Sequence, residues 1–269
     1  ADRHRVLHRA APAAPRRAVD LSPAALLRAG VSGVLAADIG AAESGRWSLA
    51  TRAEDLAPSG NRIERVGRKG VVAVVSVMGP IDQRATWQPC EGMTDGYDTI
   101  EARFRAAVDL VAEAGPGRGR VVQVIDSPGG DAAGMAPAVR RMRAYAQRAG
   151  VKVESVADFR ATSAAFALTL IGDKTHVPRG GRTASIGTVI VRKPIEGAEG
   201  VEIFRSGDRK MRPNSIEPLN KEDRDDLQQI VDDSAADFAA LVAEVRGKTA
   251  EHWLSLKGAS LSGEAAMKA

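Results

Sequence analysis

The stretch Val121–Gly134, VVQVIDSPGGDAAG, decides how this chain is read. Its first half, Val121–Ile125, is a short apolar run rich in β-branched residues, the pattern of a buried strand. Ser127-Pro128-Gly129-Gly130 breaks that run, and Ala132–Ala149 continues with helical spacing. Adjacent glycines let a backbone turn tightly and approach a ligand without Cβ clashes. Amides at a strand-to-helix junction point outward and can stabilise developing negative charge. Alone, the same turn is more often an ordinary connection.

The alternation recurs on both sides. Val71–Met78 (VVAVVSVM) reads as a strand ended by Gly79-Pro80, and residues 81–96 read as a loop carrying Trp87 and Cys90. Tyr97–Ala114 has helical spacing through Ile100, Phe104, Val108 and Val111. Val151–Val156 is a third strand and Ala161–Ile171 a helix of small residues. Short strands are predicted near Thr175–Val177, Ala184–Val191 and Val201–Arg205, and Leu219–Arg246 is a long amphipathic helix. Strands alternating with helices predict an α/β domain with a mainly parallel sheet over residues 70–269. Residues 1–69 read as a basic N-terminal arm and extension, with a helix over Leu21–Ala42 and a connecting region over 43–69.

Composition excludes several classes. The 269 residues are 44% hydrophobic and 27% charged, which fits a globular domain and excludes a collagen-like or mainly disordered chain. The longest apolar run, Val71–Met78, is far short of the roughly 20 residues a membrane-spanning helix needs. A single cysteine, Cys90, excludes an internal disulfide and a multi-cysteine zinc site, and a reducing, intracellular setting is the simplest reading. Aromatics at 4% leave little for base stacking, so nucleic acid is not an expected partner. The first 70 residues carry a net charge of +5 and the remainder −1, so the basic excess belongs to the N-terminus. Five arginines within Arg3–Arg17 suit contact with nucleic acid or an acidic partner, or simply a solvated arm.

A second stretch, Asp158–Gly172 (DFRATSAAFALTLIG), puts Ser163 between a predicted strand and a helix of small residues. A serine there is either a helix N-cap or an exposed nucleophile. A nucleophilic serine needs a base, and the histidines are poorly placed for it. His4 and His8 lie in the arm, His252 is far C-terminal, and His176 sits in an apolar strand pattern. Lysine serves when burial or neighbouring positive charge lowers its pKa. Lys210 lies in Arg205–Arg212 (RSGDRKMR), where Arg209 and Arg212 would favour the neutral amine if close. The alternative is an ordinary surface lysine in a basic loop.

Together these segments resemble the signal peptide peptidase A-like serine peptidases, and especially their phage relatives, the head-maturation or capsid assembly proteases. The matching residues are IDSPGG (Ile125–Gly130), TSAAFAL (Thr162–Leu168), ASIGTV (Ala184–Val189) and RSGDRK (Arg205–Lys210), in the family's order and spacing. The resemblance covers about residues 70–269. It implies Ser163 as nucleophile and Lys210 as general base of a Ser-Lys dyad. It further implies Gly129, Gly130 and the Ala164 amide as the oxyanion hole, and Ser185 as support for the lysine amine. The implied fold is a ClpP/crotonase-like β-α superhelix that assembles as a homo-oligomer, with no cofactor and no metal. Two places depart from the pattern. Met211-Arg212-Pro213-Asn214-Ser215 replaces the turn that usually follows the lysine, and Leu261–Ala269 carries only the opening of the family's closing motif. The second departure suits a truncated or processed chain.

The expected function is therefore a serine endopeptidase. Its polypeptide substrates would be phage scaffold or head proteins, or the chain itself, in the host cytoplasm or the procapsid. The alternatives are an envelope signal-peptide-degrading peptidase without its anchor, a crotonase-type acyl-CoA enzyme, and a non-catalytic assembly protein. An acyl-CoA enzyme would need acidic residues at the oxyanion turn and would not depend on Ser163 or Lys210. A Ser-His-Asp protease of the Clp type is disfavoured because no histidine occurs between residues 177 and 251. Lys193 and His176 are the next candidates for the base.

Overall fold

The computed structural model describes residues 47–48, 61–66, 70–85, 87–88, 92–197 and 200–268. The basic arm, the helix expected over residues 21–42 and Cys90 lie outside these described residues.

The sheet is built on three parallel strands, β3 (Gly70–Met78), β8 (Gly119–Ser127) and β9 (Lys152–Thr162). β1 (Trp47–Ser48) and β2 (Asn61–Val66) extend it antiparallel beyond β3. The connecting region read over residues 43–69 thus contributes two strands to the sheet. On the far side of β9, β10 (Lys174–His176) and β11 (Arg182–Ala184) both run parallel to it, and β12 (Ser260–Ser262) closes the edge antiparallel to β11. Small pairs join β4 (Ile81–Asp82) with β7 (Asp95–Gly96), and β5 (Trp87–Gln88) with β6 (Gly92–Met93). The α/β architecture with a mainly parallel sheet is the one the alternating pattern predicts.

The helices are α1 (Tyr97–Glu113), α2 (Met135–Arg148), α3 (Ala164–Thr169), α4 (Lys221–Arg246), α5 (Ala250–Leu254) and α6 (Gly263–Lys268). On α1 the apolar positions Ile100, Phe104, Ala107, Val108 and Val111 fall on one face and are buried in the main core with Val75, Val77, Val121 and Ile125. Burying a side chain such as Phe104 stabilises the fold by roughly 1.5–3 kcal/mol. Both α2 and α3 supply residues to the same core, and α4 closes it with Phe238, Leu241 and Val242. Phe238 meets Phe166 of α3 in a tilted ring pair at 6.4 Å. The opposite sheet face carries a smaller cluster, Val72, Val74, Val122, Val124 and Val156.

Two predicted boundaries move for local reasons, and one predicted strand does not form. β9 runs to Thr162, so the helix expected from Ala161 begins only at Ala164. The strand expected over Ala184–Val191 is limited to Arg182–Ala184, because Ala184 and Ser185 both take positive φ (66° and 59°) and turn the chain out of the sheet. Val201–Arg205 forms no strand, although its residue types favour one.

Candidate active site

The site is made at the carboxyl ends of β8 and β9. Their register runs unbroken from Arg120↔Lys152 to Ile125↔Ala157 and then jumps to Ser127↔Ala161. Two steps on β8 therefore face four on β9. This bulge bends the end of β9 and leaves Phe159 66% exposed. It brings Thr162 and Ser163 beside the Ser127–Gly130 turn, and Thr162 Oγ1 donates to the Pro128 carbonyl at 3.0 Å.

Ser163 occupies the N-cap position of α3 without acting as a cap. Its φ and ψ are 55° and −128°, and its side chain makes no capping hydrogen bond. Non-glycine residues hold such angles at a cost of about 1–3 kcal/mol, and they cluster at functional sites. The backbone is pinned there by two bonds, Ser163 N–H to Ala184 O (2.8 Å) and Ala167 N–H to Ser163 O (3.1 Å). The hydroxyl has no partner among the described residues. Of the two readings open for this serine, the capping one does not fit this geometry.

Gly129 packs directly on that serine. A Cβ at Gly129 would lie 2.8 Å from Ser163 Cβ, 2.8 Å from Thr162 O and 3.0 Å from Ala164 N. With φ +106°, this position demands glycine for conformation as well as space. The Gly129 amide already donates to the buried Ser127 Oγ at 3.1 Å. Gly130 forms a parallel bridge with Ile81 through Ile81 N–H to Gly129 O (3.0 Å) and Asp131 N–H to Ile81 O (2.8 Å). In such a bridge the amide of the central residue faces away from its partner strand. The Gly130 N–H therefore points away from Ile81 and has no acceptor among the described residues. The same holds for the Ala164 N–H at the head of α3. Among the described residues, the turn and the start of α3 thus leave two amides and the Ser163 hydroxyl without a partner.

Nearby groups hold the turn in place. Tyr97 Oη donates to the Asp131 carbonyl at 2.5 Å, and the Gln83 N–H donates to Asp131 Oδ2 at 3.0 Å. Burial, together with the Asp131 carboxylate, pushes the Tyr97 phenol upward, so it stays a neutral donor.

Ser185 joins this neighbourhood through the backbone, since it follows Ala184, the acceptor for Ser163, and its own amide donates to Ala259 O at 3.0 Å. Lys210 makes no hydrogen bond to the hydroxyl. It is exposed in the turn Gly207–Lys210, its amide donates to Gly207 O at 2.9 Å, and its ammonium makes no hydrogen bond or ion pair among the described residues. The expectation that Arg209 and Arg212 lend it positive charge is not met as stated. Arg209 is paired with Glu222 and Asp226, and Arg212 with Asp223 and Glu217, so both charges are spent on carboxylates.

The alternative bases fare differently. His176 pairs with Val156 in the β10–β9 register, roughly 20 Å along the strand from Ser163, and its Nε2 lies 3.1 Å from Glu154. That distance removes it as a base for this serine. Lys193 is 83% exposed and sits 3.8 Å from Glu196. The sequence reading missed the Ser127 hydroxyl that engages Gly129. Its only signal was a serine placed directly before the Pro-Gly-Gly turn.

This chain is similar to phage head-assembly proteins. It is 30% identical over 223 residues to the head-tail preconnector protein GP5 of Enterobacteria phage P21, covering 80% of this chain and 43% of that protein. It is also 30% identical over 208 residues to the capsid assembly protease C of Escherichia phage lambda, covering 74% of this chain and 45% of that protein. The chain therefore spans less than half the length of these curated relatives. No family model matches it. Among solved structures it is similar to a ClpP1 point mutant from Listeria monocytogenes, with a TM-score of 0.42 and 13% identity over 72% of this chain and 85% of that one. No helix among the described residues is long and apolar enough to cross a membrane.

Proposed function

We propose that this chain is a serine endopeptidase of the signal peptide peptidase A-like type, with a ClpP/crotonase-like fold, acting in phage capsid maturation. The observation that carries the reading is Ser163 itself, a strained, uncapped serine in contact with a glycine turn that leaves an amide free. Such strain at a strand-to-helix turn exposes a nucleophile. The similarity to a protein named as a capsid assembly protease supports the substrate class, which is scaffold or head polypeptide.

In the proposed reaction neutral Lys210 takes the proton of Ser163 Oγ as the oxygen attacks the scissile carbonyl carbon. The N–H groups of Gly130 and Ala164 hold the resulting oxyanion, with Gly129 fixing the turn. Collapse breaks the C–N bond, and the lysine ammonium returns its proton to the leaving amine. Water, deprotonated by the same lysine, then cleaves the acyl ester and restores Ser163. Each oxyanion donor would contribute about 3–4 kcal/mol to the transition state. Lys210 is exposed, so it must be carried onto Ser163 when substrate or a second copy covers the site, and Ser185 would help hold its amine there. Hydrogen bonds between catalytic groups are commonly completed only in the substrate complex.

Assembly as a homo-oligomer belongs to the same proposal. Val189, Val191 and Phe204 are 79%, 87% and 91% exposed on one long segment without a strand among the described residues. Large apolar side chains exposed in this way suit burial against a second copy. The working place would be the host cytoplasm or the procapsid.

Two assays test the reading. Casein hydrolysis and covalent labelling by a fluorophosphonate are expected for the wild type and lost in Ser163→Ala. Lys210→Ala is expected to lose both while keeping its circular dichroism spectrum and its oligomer size by light scattering. Cleavage that survives Ser163→Ala would overturn the assignment. A wild type that is monomeric at every concentration would remove the oligomer.

A further inference from the structure

The segment that carries Lys210 is rich in charge, yet Lys210 is its one cation whose side chain makes neither a hydrogen bond nor an ion pair among the described residues. Arg205 pairs with Glu217 at 2.5 Å. Arg209, the residue before Lys210, reaches α4 and pairs there with both Glu222 and Asp226. Arg212, two residues after it, pairs with the buried Asp223, its Nε donating to Oδ1 at 3.0 Å, and also donates to the Pro218 carbonyl at 3.1 Å. The remaining carboxylate in the first turns of α4, Asp225, is held by Lys221 at 2.6 Å. Arg192 approaches from the preceding part of the segment and donates to the Asn214 and Glu217 carbonyls, at 2.8 Å and 2.6 Å. Arg224 turns to the Leu219 carbonyl at 3.3 Å. Of the carboxylates from Asp208 to Asp226, Asp208 alone has no ion pair among the described residues.

We infer that Arg209 and Arg212 are positioning residues that occupy the carboxylates of Glu217 and α4 and so keep Lys210 unpaired and available as a base. The inference rests on the proposed role of Lys210. A guanidinium forks onto two carboxylate oxygens, or onto two carboxylates, in a planar geometry an ammonium cannot match. Without the arginines, a lysine of similar reach one residue along the chain would take Glu222 or Asp226. A lysine so paired holds its proton more tightly and is a poor base near neutrality. The cluster would otherwise be an ordinary set of surface ion pairs, worth little for stability. Its effect on which cation is left over does not depend on that worth.

The test is the pH dependence of Ser163 labelling by a fluorophosphonate, measured as a second-order rate on the full chain. Arg209→Gln releases Glu222 and Asp226. It is expected to raise the midpoint of the ascending limb by about one pH unit, roughly tenfold slower labelling on the rising limb, while the high-pH plateau stays near wild type. Arg209→Lys, which can hold only one of the two carboxylates, should fall between wild type and Arg209→Gln. The combination of Arg209→Gln with Glu222→Gln and Asp226→Asn should return the midpoint, a rescue that a purely structural role would not give. A rate lowered equally at every pH, or an unmoved midpoint while Lys210→Ala is inert, overturns the inference and leaves Lys210 as the base. Full labelling of Lys210→Ala overturns the base assignment, and the inference falls with it.

Discussion

The backbone N–H of Ser163 donates to the carbonyl oxygen of Ala184 at 2.8 Å, tying the end of β9 to the end of β11. Both residues have positive φ, 55° and 66°. Two adjacent parallel strands therefore end in left-handed geometry, each constraining the other. This bond holds Ser163 in a conformation that it would not choose alone.

Releasing that strain should stabilise the fold. Glycine adopts the Ser163 angles freely, which recovers about 1–3 kcal/mol of strain and loses about 0.4–1 kcal/mol to added unfolded-state freedom. Ser163→Gly is expected to raise unfolding stability by about 1 kcal/mol in urea titration and to abolish fluorophosphonate labelling. A variant less stable than wild type would show that the angles are not strained in solution.

The two glycines of the turn should behave differently. At Gly129 a methyl group would press on Ser163, the Thr162 carbonyl and the Ala164 amide at a φ of +106°, so Gly129→Ala should lose about 1–3 kcal/mol of stability and roughly 100-fold or more in activity. At Gly130 a methyl group would lie 1.8 Å from the Ile81 carbonyl oxygen, a backbone atom held on both sides by the bridge bonds. Gly130→Ala should therefore cost about 3 kcal/mol or more in stability, the scale of a forced core clash. Thermal melts of the two variants check the order, and equal melting temperatures would contradict it.

Much of this site was legible in the sequence because backbone chemistry announces itself. Adjacent glycines after an apolar strand, and a serine opening a run of alanines, specify a turn against a helix start whatever surrounds them. That the turn and Ser163 belong to one site was implied only by the family resemblance. The position of Lys210 was not legible to the same degree. Its segment has no regular structure between Ser185 and Asn220 among the described residues, so no periodicity sets where its side chains point. Apart from Glu217, which is near Arg212 in the chain, the carboxylate partners of Arg209 and Arg212 lie on α4, ten or more residues away, and sequence spacing does not reveal ion pairs across a loop. The strand residues missing from Ser185–Val191 and Val201–Arg205 have a related cause. β-branched residues favour a strand only when a neighbouring strand is available to pair with.

The joint between α3 and α4 should matter for stability. Phe238 is 1% exposed and packs against Phe166, three residues beyond Ser163. Phe238→Ala is expected to cost about 3–5 kcal/mol. Guanidinium titration with circular dichroism measures this directly, and a loss under 1 kcal/mol would mean that α4 is not seated on the core through this ring.

The ion pairs around Asp223 predict an acid transition of definite sign. The Arg212 hydrogen bond, helped by the Asn220 amide and the charges of Arg212 and Arg192, lowers the Asp223 carboxyl from 3.8 to about 2 despite its burial. Glu217 is held below its ordinary value by Arg205, then by Asn214. A depressed folded-state pKa means that the unfolded chain binds more protons in this range, so stability falls as the pH falls. The contribution of Asp223 is complete above about pH 4 and is lost as the pH drops through about 2. The wild-type melting temperature should therefore fall from pH 4.5 to pH 2. In Asp223→Asn, less stable at neutral pH, the fall over the same window should be shallower. Differential scanning fluorimetry across that window separates the two slopes. Parallel curves would mean that Arg212 does not hold Asp223 in solution, and the anchor of the Lys210 segment to α4 would then have to lie in Arg209 alone.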